Sequence, residues 1–159
     1  MPFFANCLPD IPEELITFAT AMVPVLELRG AIPVGIASGL PPFEAAAIAV
    51  AGNMVPVPFI MLLARRIFDW LGETRFFGPK IRWLEKRAHL KGRLVRKYRL
   101  LGLMVLVGVP LPGTGAWTGA LVASLLNIRI SHAMPTIFAG LIAAAVITTN
   151  IIMGIVHLL

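Results

Sequence analysis

Two stretches of this 159-residue chain break long apolar sequence with glycine, proline and polar side chains. One runs from Glu27 to Pro41 (ELRGAIPVGIASGLP) and the other from Val109 to Ala123 (VPLPGTGAWTGALVA). The apolar segments that lead into them, Leu15–Leu26 and Leu100–Val109, have about 12 and about ten residues. At 1.5 Å per residue these are roughly 18 and 15 Å long, whereas a helix crossing a bilayer needs about 20 residues. Interrupted hydrophobic segments at matching places in two halves are a sequence pointer to a transport site.

Composition sets the solvent. The chain is 58 % hydrophobic and 14 % charged, with a mean hydropathy of +0.86. Soluble domains are about half apolar and a quarter charged, so an all-α integral membrane protein in one domain is expected. Cys7 is the only cysteine, which excludes an intrachain disulfide and a cysteine metal cluster. Residues 1–10 lack the basic region and apolar run of a secretory signal, so the apolar segments themselves are expected to direct insertion.

Charge sets the orientation. Twelve of the 14 basic residues fall between Arg65 and Arg99, giving that segment +9, while the rest carries −3, matching the overall +6. The positive-inside rule puts 65–99 in the cytoplasm. Flanked by apolar segments, this run reads as a topology signal rather than a nucleic-acid surface.

Asp10 and Glu13 have capping-box spacing, so a helix is expected to start near Ile11. Phe43–Ala64 is long enough to span, with Pro56 and Pro58 expected to kink it. Within the basic connector, 80–98 has helical spacing of Ile81, Leu84, Ala88 and Val95, which predicts a helix lying on anionic lipid of the inner leaflet. The last span, 132–157, contains the small-residue run Ala139–Ala145, suited to close packing. The expected plan is a first repeat, 11–64 (hairpin 13–41, span 43–64), the connector 65–99, and a second repeat, 100–159 (hairpin 100–128, span 132–157). Each hairpin would enter and leave by one face, and each half would cross once. The halves would then be inverted repeats with both termini outside. Setting Gly30 on Gly115 also aligns Ala31 with Ala116. With so few helices per copy, a homodimer is expected.

Ionisable groups at membrane depth cost about 2.5–3.5 kcal/mol each and are usually paired or functional. Glu27 and Arg29 are therefore the first candidate site residues, a proton carrier and an anion holder, with mutual neutralisation as the plain alternative. Gly30 and Pro33 belong to the same tip. Pro110, Pro112, Gly113, Thr114 and Gly115 form the second, where amides before the helix from Ala116 could nest an anion. Trp117 and Thr118 follow on that helix. Asn53, Thr148, Thr149 and Asn150 are polar residues within spans; they either line the pathway or bond between helices. His132 and His157 read as interfacial. No nucleophile elbow, HExxH, Walker loop or dinucleotide signature occurs, so neither an enzyme nor a cofactor or metal is expected.

The motifs at 27–35 and 108–119 resemble those of the small multidrug export protein family, over roughly residue 15 to the end. That family is distantly similar to the DedA, or SNARE-associated, membrane proteins. The resemblance implies paired re-entrant hairpins and a small transporter of an amphiphilic substrate, whereas Arg29 and helix N-termini favour an anion. A DedA-like translocase of a phosphate-bearing lipid carrier is the alternative. A non-transporting scaffold binding anionic lipid or a partner is the rival of another class.

Overall fold

The computed structural model describes residues 11–72, 92–110 and 114–158, with the side chains of 68, 69, 71, 72, 92–97 and 156–158 left aside. Seven helices make up this part: α1 (Glu13–Met22), α2 (Glu27–Ser38), α3 (Pro42–Met54), α4 (Pro56–Gly72), α5 (Gly92–Gly108), α6 (Ala116–Leu125) and α7 (Ile130–Leu158). No strand occurs among the described residues. Two helical segments, Pro42–Ile67 and Ile130–Ile155, are long and apolar enough to cross a membrane.

The interior combines many alanines with a few large side chains such as Ile32, Met61, Leu103 and Ile137, while many large apolar residues lie outside. Ala21, Ala31, Ala45, Ala49, Ala116, Ala120, Ala123 and Ala133 are fully buried, while Phe59, Leu62, Leu63, Val146 and Ile151 are exposed. This is the arrangement of helices that approach closely and turn their bulk toward lipid. Chain and membrane class agree.

Close approach depends on glycine at two matched places. A Cβ on Gly52 of α3 would stand 2.6 Å from the Phe18 carbonyl oxygen and 3.1 Å from Ala21 Cβ of α1. A Cβ on Gly140 of α7 would stand 2.9 Å from the Met104 carbonyl oxygen and 2.8 Å from Val107 Cβ of α5. In both cases the first helix of a half meets the third through a carbonyl and the side chain three residues on. The ends of α2 and α6 match as well. Gly39 N–H donates to Ile36 O and Leu40 N–H to Gly35 O, while Asn127 N–H donates to Ser124 O and Ile128 N–H to Ala123 O. Gly39 (φ 114°) and Asn127 (φ 52°) hold the left-handed position of this cap, the one place in it where glycine or asparagine is favoured. Gly52 with Gly140 and the caps at Gly39 and Asn127 are offset by 88 residues, while Phe18 with Met104 and Ala21 with Val107 are offset by 86. On the 88-residue offset of the α2 and α6 ends, Glu27 corresponds to Gly115. The expected pairing of Gly30 with Gly115 is therefore three residues out; two glycine-rich segments align too easily on identity alone.

Several boundaries differ from expectation. The N-cap of α1 is Pro12, with no side-chain cap; Asp10 lies outside the described residues. The first break falls at Val23–Leu26, ahead of Glu27, because Pro24 carries no N–H and cannot continue α1. Glu27 and Arg29 thus sit in the first turn of α2. Helix is interrupted at Val55, between α3 and α4, directly before Pro56. α4 runs on past Arg65 to Gly72 rather than ending at Ala64, since nothing in its sequence terminates a helix there. α5 is one helix from Gly92 to Gly108, joining the basic end of the connector to the apolar segment. Of the expected interfacial helix 80–98, the part before 92 lies outside the described residues.

At the far end from the break, Arg65 Nη2 donates to Ile128 O and Arg99 Nη1 to Leu126 O at 3.4 Å. Both guanidinium groups face the carbonyl end of α6, where positive charge complements the helix dipole.

Candidate functional site

The two broken segments meet. The chain turns at 23–26 and re-enters helix at Glu27, whose backbone is in the left-handed region at φ 46°. For a residue with a Cβ this costs about 1–2 kcal/mol and persists only where surrounding structure enforces it. Asn53 of α3 supplies part of that structure. It is fully buried, and in the amide orientation that satisfies both ends it donates to Ala21 O and accepts from Leu28 N–H, each at 3.3 Å. One side chain thus bridges the backbone on either side of the break. Asn53 is therefore a bracket behind the tip.

The Glu27 side chain is buried at 7 % exposure. Its Oε1 accepts from the Trp117 backbone N–H at 3.3 Å, in the first turn of α6, where amides lack helical partners. Gly115 packs directly on the carboxylate, and a Cβ there would collide with it. Because Gly115 has an extended φ of 167°, the glycine is required by space alone.

Arg29 reaches the same segment. Its Nη2 donates to Thr114 Oγ1 at 2.8 Å, to the Thr114 carbonyl and to Val109 O at 3.3 Å. Thr114 Oγ1 also donates to Val109 O at 2.9 Å, closing the turn that Arg29 holds. No ion pair joins Glu27 to Arg29 among the described residues. Both hydrogen-bond instead to the second segment, Glu27 to the Trp117 amide and Arg29 to Thr114 and Val109. The guanidinium has only neutral oxygens in its direct hydrogen bonds, so it remains a cation able to take an oxyanion.

Of the residues expected at the site, Glu27, Arg29, Thr114, Gly115 and Trp117 come together. Gly30 is close behind, where a Cβ would stand 2.9 Å from Leu26 Cβ. Pro33 lies inside α2, past the contact, and Pro110 closes the visible part of the turn after α5. Pro112 and Gly113 lie outside the described residues. Thr118 is half-buried on α6. Asn150 is exposed and donates to Val146 O of its own helix at 2.7 Å, so it is not brought to the tip. His132 is exposed near Ser131, and the His157 side chain is outside the described set. Sequence reasoning missed the carbonyl of Val109, which carries no signal because a carbonyl has no residue type. For Asn53 it left pathway lining and bonding between helices open; the amide bonds Ala21 of α1 and Leu28 of α2. Among the described residues no group of His, Cys, Asp or Glu could hold a metal ion.

The model of the family described as "Putative small multi-drug export protein" matches residues 27–147. That interval opens on Glu27 and contains the whole of the contact between the two segments, and the chain belongs to this family. No curated protein and no solved structure matches it.

Proposed function

We propose that this member of the small multi-drug export family is a small secondary transporter or translocase. Its substrate site lies where 27–29 meets 109–118. The observation that carries the reading is the pair of charges at the break. Two ionisable side chains sit at a helix interruption in an apolar protein, and the hydrogen bonds of both go to the opposite segment. A contact of this kind can open and close as a unit. Proton coupling would run through Glu27 and substrate through Arg29.

The helix directions support an inverted repeat of re-entrant hairpins. Ser124 of α6 donates to Met61 O of α4 and Arg65 to Ile128 O, so α4 and α6 run in parallel. Gly119 of α6 stands over Val107 and Leu103 of α5, and Gly108 of α5 beside Gly140 and Ala143 of α7. With Val107 at Gly119 and Arg99 at Leu126, α6 is antiparallel to α5, and α5 is parallel to α7, which makes the two spans antiparallel. Alternating access would come from one half rocking against the other. In this topology 65–99 is cytoplasmic, its basic residues meet anionic lipid of the inner leaflet, and both termini lie outside a prokaryotic plasma membrane. A homodimer fits the bend at 23–26. Val25 there is 90 % exposed, and irregular backbone at membrane depth has to be covered by protein or water.

The substrate read from the site is an oxyanion or an amphiphile carrying one, in line with Arg29 and the N-terminus of α6. A phosphate-bearing lipid carrier is the larger member of that class. The test is flux in proteoliposomes with carboxyfluorescein as an anionic probe and ethidium as a cationic one. Wild type is expected to move the anion, and Glu27→Gln and Arg29→Ala to fold and lose that flux. Folded variants with wild-type flux would leave a membrane scaffold as the better description.

A further inference from the structure

α7 carries two hydroxyls that its own packing leaves without a partner. Thr17, Thr20 and Thr136 each donate to the carbonyl four residues back, at 2.9, 2.7 and 2.8 Å, and Ser124 does so at 2.9 Å. That back-bond is where a helical hydroxyl ordinarily goes. Thr148 and Thr149 do not make it, and both Oγ1 atoms are buried with no hydrogen-bond partner. Thr148 is only 9 % exposed, and it continues the interior stripe formed by Ile137, Leu141 and Ala144. Buried hydroxyls are nearly always paired, so two adjacent exceptions point to a partner that binds and leaves.

Their position along α7 supplies the candidate. A Cβ on Gly108 would stand 3.5 Å from Ala143 Cβ, and Val109, the next residue, offers its carbonyl to Arg29. α5 and α7 run in parallel here, with Met104 and Val107 against Gly140 and Gly108 against Ala143. Thr148 lies five residues beyond Ala143, about 7.5 Å further along the axis. The hydroxyl pair therefore stands about one helical turn beyond the level of the Arg29 contact, on the side toward which α5 delivers the turn.

We propose that Thr148 and Thr149 are a second station of the tip site, donating their hydroxyls to an oxyanion, carboxylate or phosphate, that Arg29 also engages. The inference rests on reading the tip as a substrate site, and it specifies the anion as the recognised group. Hydroxyls and a guanidinium are alike in donating to anionic oxygens.

The test is calorimetric titration of the purified full chain in neutral detergent with three probes: inorganic phosphate, dodecyl phosphate and dodecanoate. Binding of dodecyl phosphate alone marks a lipid-like ligand, binding of inorganic phosphate as well a free anion, and dodecanoate binding extends the class to carboxylates. Thr148→Val is expected to weaken binding about tenfold or more, as loss of a hydrogen bond to a charged group does. Thr148→Ser should restore it, and Thr149→Val should act in the same direction. Thermal stability of Thr148→Val should equal or exceed wild type, because a methyl replaces an unpaired hydroxyl. If Thr148→Val does not fold, Thr149→Val and Thr148→Ser carry the decision. Wild-type affinity in the hydroxyl-free variants, with binding abolished by Arg29→Gln, overturns this proposal and leaves the tip site standing. No binding of any probe by wild type overturns the tip reading and this proposal together.

Discussion

The Glu27 carboxylate occupies the space that a side chain on Gly115 would need. With Oε1 on the Trp117 amide, the acid of the first broken segment is seated in the opening turn of the helix that leaves the second. The residue makes this contact from left-handed backbone, φ 46°.

Gly115→Ala is expected to expel that carboxylate. The backbone at 115 tolerates alanine, so the change acts through the collision alone. Overpacking of this kind costs about 1–3 kcal/mol. The expected outcome is a lowered thermal midpoint and loss of anion flux, measured on the same detergent preparation and its proteoliposomes.

Arg29→Lys should behave like a loss and not like a conservative change. A lysine ammonium is a point charge and cannot reproduce the planar fork that serves Thr114 and Val109. Arg29→Lys and Arg29→Ala are both predicted to reduce flux at least tenfold. Near-normal flux in the lysine variant would mean that charge alone suffices at this position.

Asn53→Leu removes the bridge across the first break and strands Ala21 O and Leu28 N–H. An unsatisfied buried group costs about 1–3 kcal/mol, so a loss of roughly 2–4 kcal/mol is expected in denaturant or thermal unfolding. Flux per folded molecule should survive better than in Glu27→Gln, which separates the bracket from the site.

The matched glycines give an internal control. Gly52→Ala and Gly140→Ala each meet a carbonyl oxygen of the neighbouring helix, whereas a Cβ on Gly102 or Gly154 meets nothing within 4 Å. The first two are predicted to destabilise by about 1–3 kcal/mol. The second two should be neutral or stabilising, by up to about 1 kcal/mol of helix propensity. Equal behaviour of all four would contradict the packing described here.

Much of the fold was legible in the chain. Apolar length marked spans at 43–64 and 132–157, where the structure has apolar helical segments Pro42–Ile67 and Ile130–Ile155. Pro56 lies directly after the break between α3 and α4, and the isolated charges at Glu27 and Arg29 lie at the contact between the two segments. The less legible features were those set by a partner distant in sequence. The first break lies at Pro24 and not at the charged pair, because a helix can restart on a carboxylate that has somewhere else to bond. The match between Glu27 and Gly115 came from the caps that end α2 and α6 at Gly39 and Asn127, and identity alignment does not contain that information.

By itself, the sequence determined the solvent, the helical class and that helix is interrupted in each half, because hydropathy, charge and proline act locally. Tertiary structure decided what the charges do there. Glu27 and Arg29 are two residues apart and could have neutralised one another. Instead each hydrogen-bonds to a segment about 80–90 residues away, Glu27 to the Trp117 amide and Arg29 to Thr114 and to the Val109 carbonyl. That choice depends on Gly115 lacking a side chain and on Asn53 holding the bend, and both relationships exist only once the halves are packed together.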